Sequence, residues 1–198
     1  MKNNAFIRLG ITGGIGSGKS FFSSSLKERG VPVFDSDSEA KKLMVTDPVI
    51  VSSLKSLLGD EVYIDGKLNK QLLAGYIFSS PDNAHKVNAI VHPCVKQAFL
   101  SWADEHFKKG SRVVAIESAI LFESGFDDIV DKIVIVHAPL EVRISRVMKR
   151  DNITREKVIE RINSQMSDDE KISKSDFVIE NDGSVSLNEQ IDRLFSVL

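Results

Sequence analysis

Residues Gly13-Gly14-Ile15-Gly16-Ser17-Gly18-Lys19-Ser20 match the spacing G-x-x-x-x-G-K-S/T, a pattern that builds a cradle for phosphate. Glycines this closely spaced let successive backbone N–H groups turn inward around an anion. A helix starting just after them points its positive end at the same place, and a lysine reaches the outer phosphates. The candidate nucleotide-binding residues are therefore Gly14, Ile15, Gly16, Ser17, Gly18, Lys19 and Ser20. Lys19 is also a catalytic candidate through its charge, and the Ser20 hydroxyl is the candidate ligand for Mg²⁺ accompanying ATP.

A second cluster, Asp35-Ser36-Asp37, follows Val31-Pro32-Val33-Phe34. Beside a phosphate cradle, a carboxylate can accept the proton of an attacking hydroxyl or hold that hydroxyl in line with the γ-phosphate, and Asp37 is the candidate for this. Asp35 reads as a helix cap or as a structural or metal-side partner. Glu117 either holds a water on Mg²⁺ or caps a helix. Further on, Arg143, Arg146, Lys149, Arg150, Arg155 and Arg161 crowd one stretch, with Arg146 and Arg150 sharing a helix face at i, i+4 spacing. A helical hairpin carrying arginines suits a lid that closes over phosphate, with Arg146 as a catalytic phosphate ligand and Arg150 as a second phosphate ligand in the nucleotide site. His92, followed by Pro93, reads as a turn or a packed side chain rather than a proton shuttle.

The elements that must position these groups are legible from apolar runs rich in β-branched residues: Phe6 to Ile11, Val31 to Phe34, Arg112 to Ile116, Lys132 to Val136 and Phe177 to Ile179. Helical patterns lie between them, which predicts an α/β fold with a parallel sheet covered on both faces. The first helix is expected over Lys19 to Arg29, ending at Gly30. About eighty residues separate the second and third runs, far more than one crossover needs. Residues 1–37 and 111–198 then form the nucleotide-binding core, with the lid within about 143–170. Residues 38–110 form a helical insertion over the acceptor side, interrupted at Asp47-Pro48, Asp65-Gly66 and Ser80-Pro81-Asp82.

The chain has 198 residues, 42% of them hydrophobic and 27% charged, an ordinary globular composition. A net charge of −2 argues against a general nucleic-acid binder, which needs a basic surface field. No apolar run approaches membrane-spanning length, and the short polar Met1-Lys2-Asn3-Asn4 leaves no room for a leader. The single cysteine, Cys94, cannot form an internal disulfide. A cytoplasmic protein without membrane or nucleic-acid partners is expected.

Gly10 through Ser20, Asp35-Ser36-Asp37, Asn88 through Pro93, Arg146 through Asp151, Gln165 and Asp176 through Gly183 together resemble the dephospho-CoA kinase family over nearly the full chain. The resemblance implies a P-loop kinase-type sheet with a helical substrate-binding insertion and a helical lid. It also implies ATP and dephospho-CoA as substrates, transfer of the γ-phosphoryl group to the ribose 3′-hydroxyl, Asp37 as the base and Arg146 as the lid arginine. Phe21 stands where that pattern has Thr, Ser36 where it commonly has Ala, and Glu117-Ser118-Ala119 where an Asp-or-apolar residue precedes Pro. The alternatives are another small-molecule or nucleoside monophosphate kinase, or a nucleotide switch. The switch reading lacks an Asn-Lys-x-Asp guanine signature.

Overall fold

The computed structural model describes residues 6–198. The N-terminal residues read above as too short for a leader lie outside the described residues. In chain order the elements begin with β1 (Ile7–Thr12), α1 (Lys19–Glu28) and β2 (Val33–Asp35), then α2 (Ser36–Thr46) and α3 (Pro48–Leu58). A short hairpin, β3 (Tyr63–Ile64) and β4 (Lys67–Leu68), precedes α4 (Lys70–Ser79) and the long α5 (Pro81–Lys108). β5 (Val113–Glu117), β6 (Lys132–His137), α6 (Leu140–Asp151), α7 (Arg155–Asn163), α8 (Asp168–Ser173), β7 (Phe177–Glu180) and α9 (Leu187–Val197) complete the chain. The described residues divide into two compact units: those up to Phe34 together with Ala103–Leu198, and Asp35–Trp102.

The first unit holds a five-stranded sheet of order β2-β5-β1-β6-β7. β1 runs parallel to β5 (Leu9 opposite Ala115) and to β6 (Ile11 opposite Val134), and β6 runs parallel to β7 (Val136 opposite Ile179). All five predicted strands form, within about two residues of their expected ends. Their β-branched runs are buried: Leu9, Ile11, Val134 and Val136 pack with Phe22 and Leu26 of α1 and with Ile191 and Leu194 of α9. α1 stops where expected. Gly30 adopts φ +82°, its N–H donates to Lys27 O, and the Val31 N–H donates to Leu26 O, the paired closure that a left-handed residue after a helix permits.

The second unit carries helices around Ile50, Leu54, Leu73, Val87, Val91, Val95 and Phe99, all buried. Two features differ from a simple run of helices and breaks. Asp65 and Gly66 adopt φ +50° and +72°, so this break is a two-residue turn that joins β3 to β4. Pro93 makes no turn at all: α5 continues through it for 28 residues. The proline leaves the Ala89 carbonyl without its usual donor four residues on. Burial and the neighbouring Lys96 charge together hold the His92 imidazole below its ordinary pKa, favouring the neutral ring within this helix.

β7 is tied to β6 by Asp176, whose carboxylate accepts from Lys132 Nζ and from the Ile133 N–H, both at 2.8 Å. Partial burial pushes its pKa up, but those two donors outweigh it and the carboxyl ends below its ordinary value. The folded protein therefore binds this proton more weakly than the unfolded chain, so the stabilisation is complete above the ordinary carboxylate value and fades as pH falls through the lowered one. Asp176→Asn should lose no more than about 1 kcal/mol near neutrality, because the pair is partly exposed. It should also flatten the loss of stability below about pH 4, as urea denaturation across pH will show.

Candidate active site

All the parallel strands present their carboxyl ends on one edge of the sheet, where open α/β sheets bind ligands. The chain leaving β1 there turns back on itself, with the Ser17 N–H donating to Gly14 O at 3.1 Å, and enters α1 at Gly18. Gly18 has φ +97°, and a Cβ on it would lie 2.0 Å from Asn181 Nδ2. A Cβ on Gly14 would lie 2.1 Å from the Arg143 guanidinium. The loop is pinned from outside as well as curled from within.

Arg143, Gln165 and Asn181 make the shortest of these outside contacts. Arg143 of α6, 2% exposed, donates from Nε to Ile15 O at 2.9 Å and pairs with Asp168 at the start of α8. Gln165 Oε1 accepts from the Ile15 N–H at 3.3 Å. Asn181, just past β7, donates from Nδ2 to Ser17 O at 2.8 Å. Arg143 belongs to the arginine-rich stretch read as a lid, and in the structure its side chain is buried against the main chain of the loop. A charged residue four positions before buried Val147, on the apolar stripe of α6, was the available signal. Asn181 carries no such signal, because its partner lies 164 positions away.

Of the predicted nucleotide residues, Gly16, Gly18, Lys19, Ser20 and Arg150 share one cavity, whereas Gly14, Ile15 and Ser17 do not line it. Lys19 Nζ donates to Gly13 O at 2.8 Å and to Gly14 O at 3.3 Å, arching over the loop it follows. Ser20 donates its hydroxyl to Glu117 Oε1 at 3.0 Å, so the end of β5 and the start of α1 bring two hard oxygen donors together. That pairing fits Mg²⁺, which takes a hydroxyl or a carboxylate from the protein and completes its shell with water and phosphate oxygens. Arg146 donates from Nη2 to Asn181 O at 2.8 Å and from Nη1 to Ser17 O at 3.4 Å. Gly16, Gly18, Lys19, Ser20, Phe21, Arg146 and Arg150 line one cavity of about 190 Å³.

Arg150 is held flat by Asp151, donating from Nε at 2.7 Å and from Nη2 at 3.1 Å, and these hydrogen bonds raise the guanidinium pKa further. The other arginines have different duties. Arg161 pairs with Asp151 and Arg155 with Glu141 on the solvated surface, where such pairs contribute little stability. Asp35 caps α2, accepting from the Ser38 N–H at 3.0 Å and from its hydroxyl at 2.7 Å. Asp37 lies exposed in the first turn of α2. Lys171, fully buried, donates to Ala119 O and pairs with Glu123, which ties α8 to the segment after β5.

Arg143→Ala should cost roughly 2–3 kcal/mol of folding stability, somewhat less than removing one member of a fully buried ion pair because Asp168 is 27% exposed. Chemical denaturation without nucleotide reads this directly. Unchanged stability would mean that the guanidinium contributes nothing to holding the loop.

A parallel sheet whose first strand runs into this glycine cradle, with a lysine and serine at the head of α1 and arginines from a helix after β6, defines a P-loop kinase. The chain belongs to the dephospho-CoA kinase family, whose model matches residues 7–186. It is 52% identical over 192 residues to a protein named dephospho-CoA kinase from Bacteroides fragilis, covering 97% of this chain and 93% of that one. A crystal structure from Thermus thermophilus superposes with a TM-score of 0.83 at 34% identity, covering 98% of each chain. The structure of dephospho-CoA kinase from Campylobacter jejuni shares the fold, with a TM-score of 0.69 at 22% identity over 96% of this chain and 95% of that one.

Proposed function

We propose that this protein transfers the γ-phosphoryl group of ATP to the ribose 3′-hydroxyl of dephospho-CoA, giving CoA and ADP, the last step of coenzyme A synthesis. Family membership supports the substrates. The observation that carries the chemistry is the single cavity shared by the loop glycines, Lys19, Ser20, Arg146 and Arg150. Its lining combines glycine main chain at the head of a helix with three cationic side chains, the chemistry that phosphate binding calls for.

In this reading the loop holds the donor phosphates, and Lys19 and Arg146 stabilise charge on the transferring group. A bond forms between the 3′-oxygen and the γ-phosphorus while the bond to the β-bridging oxygen breaks, and Asp37 takes the hydroxyl proton. With Nε and one Nη engaged by Asp151, Arg150 offers a planar face to a nucleobase more readily than a fork to phosphate. Ser20 would hold Mg²⁺, with Glu117 orienting its water, and the ion would neutralise charge on the β- and γ-phosphates. Residues 38–110 would bind the acceptor, and the helices within 143–170 would close as the lid. The cytoplasm is the proposed location, supported by a free thiol at Cys94 and by the absence, among the described residues, of any helix long and apolar enough to cross a membrane.

The test is ADP release with dephospho-CoA against AMP, CMP and related acceptors. Strong release with dephospho-CoA alone supports the assignment. Preferential release with a nucleoside monophosphate would transfer the protein to that class of kinase, and no acceptor dependence would remove it from the kinases.

A further inference from the structure

The second unit contains a cavity of about 370 Å³, within the about 300–1,000 Å³ usual for small-molecule sites, and the phosphate chemistry above does not use it. Its walls are apolar, with Met44 and Val45 from α2 and Leu73 and Ile77 from α4, and Lys41 and Lys70 supply the charged part of the lining. The Tyr63 hydroxyl donates to Met44 O and holds α2 against the β3–β4 hairpin, so this wall is fixed rather than formed by a loop. Phe78 is 86% exposed and Val45 45% exposed at the same place, an apolar surface open to water.

Its position along α2 identifies an occupant. Asp37, Lys41, Met44 and Val45 stand at i, i+4, i+7 and i+8, on one face of a single helix. Lys41 lies about 6 Å along the axis from Asp37, and Met44 about 10 Å. An acceptor whose ribose hydroxyl meets Asp37 therefore has, running away from it down the same face, first a cation and then an apolar cavity. Dephospho-CoA presents these features in the same order: the ribose, then a diphosphate, then the pantetheine arm with its gem-dimethyl and ethylene groups.

We propose that the cavity between α2 and α4 takes the pantetheine arm, with Lys41 and Lys70 drawing in the diphosphate. This assignment rests on the acceptor reading given above. Apolar groups of the arm lie against Met44, Val45, Leu73 and Ile77, while its two amides keep water on the open side. The cavity selects dephospho-CoA over acceptors that share its adenosine but lack the arm.

The experiment fills the cavity with Ala74→Phe and, in a second variant that needs no buried rearrangement, charges its exposed wall with Val45→Asp. In the parent, pantetheine competes with dephospho-CoA. In both variants the KM for dephospho-CoA rises tenfold or more, the KM for ATP stays within twofold, and pantetheine no longer competes. An unchanged KM for dephospho-CoA in folded variants overturns the assignment. So does an unchanged KM accompanied by altered sedimentation, which would give this face to a second copy of the chain. A parent that turns over no dephospho-CoA would instead defeat the acceptor reading, whereas normal parental turnover with unaffected variants defeats only the cavity.

Discussion

Lys19→Ala is expected to lower turnover about 10³-fold and to weaken ATP binding along with it. The ammonium lies against the phosphate loop, donating to Gly13 O and Gly14 O at 2.8 and 3.3 Å. A unit charge about 4 Å from a phosphate oxygen is worth on the order of 4 kcal/mol at an effective dielectric of 20. At about 1.4 kcal/mol per tenfold in rate, that corresponds to roughly three orders of magnitude. Lys19→Arg restores the charge but not the compact head that fits between two carbonyls, so it should recover only a small part of the loss. Steady-state turnover and nucleotide titration check both variants, and an alanine variant within tenfold of the parent would mean that the charge acts elsewhere.

The parts of this machinery made by local chemistry were readable in the chain. The strands announced themselves because a doubly covered parallel sheet buries both faces and so needs near-continuous β-branched runs such as Lys132 to Val136. The loop announced itself because an anion cradle needs small residues at fixed spacing. Gly30 and Val31 marked the end of α1 because only a left-handed residue closes a helix that way.

The missed parts depend on contacts distant in sequence or on local rules overridden by packing. His92-Pro93 left a turn open although the apolar spacing of Val91, Val95 and Phe99 runs through it, and α5 continues because Val87, Val91, Val95 and Phe99 on its buried face outweigh one lost hydrogen bond. Arg143 read as one more arginine of the lid stretch; its burial depends on Gly14 leaving room for the guanidinium and on Asp168 arriving from 25 positions later. Arg143 holds the carbonyl of Ile15 and Gln165 its N–H, so α6 and the segment after α7 are fastened to the glycine loop. Movement of this segment would be felt directly by the phosphate cradle.

Asp37→Asn is expected to reduce turnover by roughly two to four orders of magnitude, the usual effect of losing a general base, while ATP binding stays close to that of the parent. The change is nearly isosteric and Asp37 is exposed in the first turn of α2, so stability should move by no more than about 0.5 kcal/mol. What disappears is a lone pair able to take the proton of the attacking hydroxyl. Two companion variants separate that chemistry from mere position. Asp37→Glu keeps the carboxylate but shifts it by about one methylene, and misplacement of about 1 Å in a reacting geometry is worth roughly 10²-fold, so it should also be impaired. Asp35→Asn removes the neighbouring charge, but asparagine caps a helix about as well as aspartate and the Ser38 N–H keeps its acceptor, so turnover should stay within a few-fold of the parent. If Asp35→Asn proves the more damaging change and Asp37→Asn remains within threefold of the parent, the proton goes to the capping carboxylate and α2 presents the wrong aspartate to the acceptor in this account.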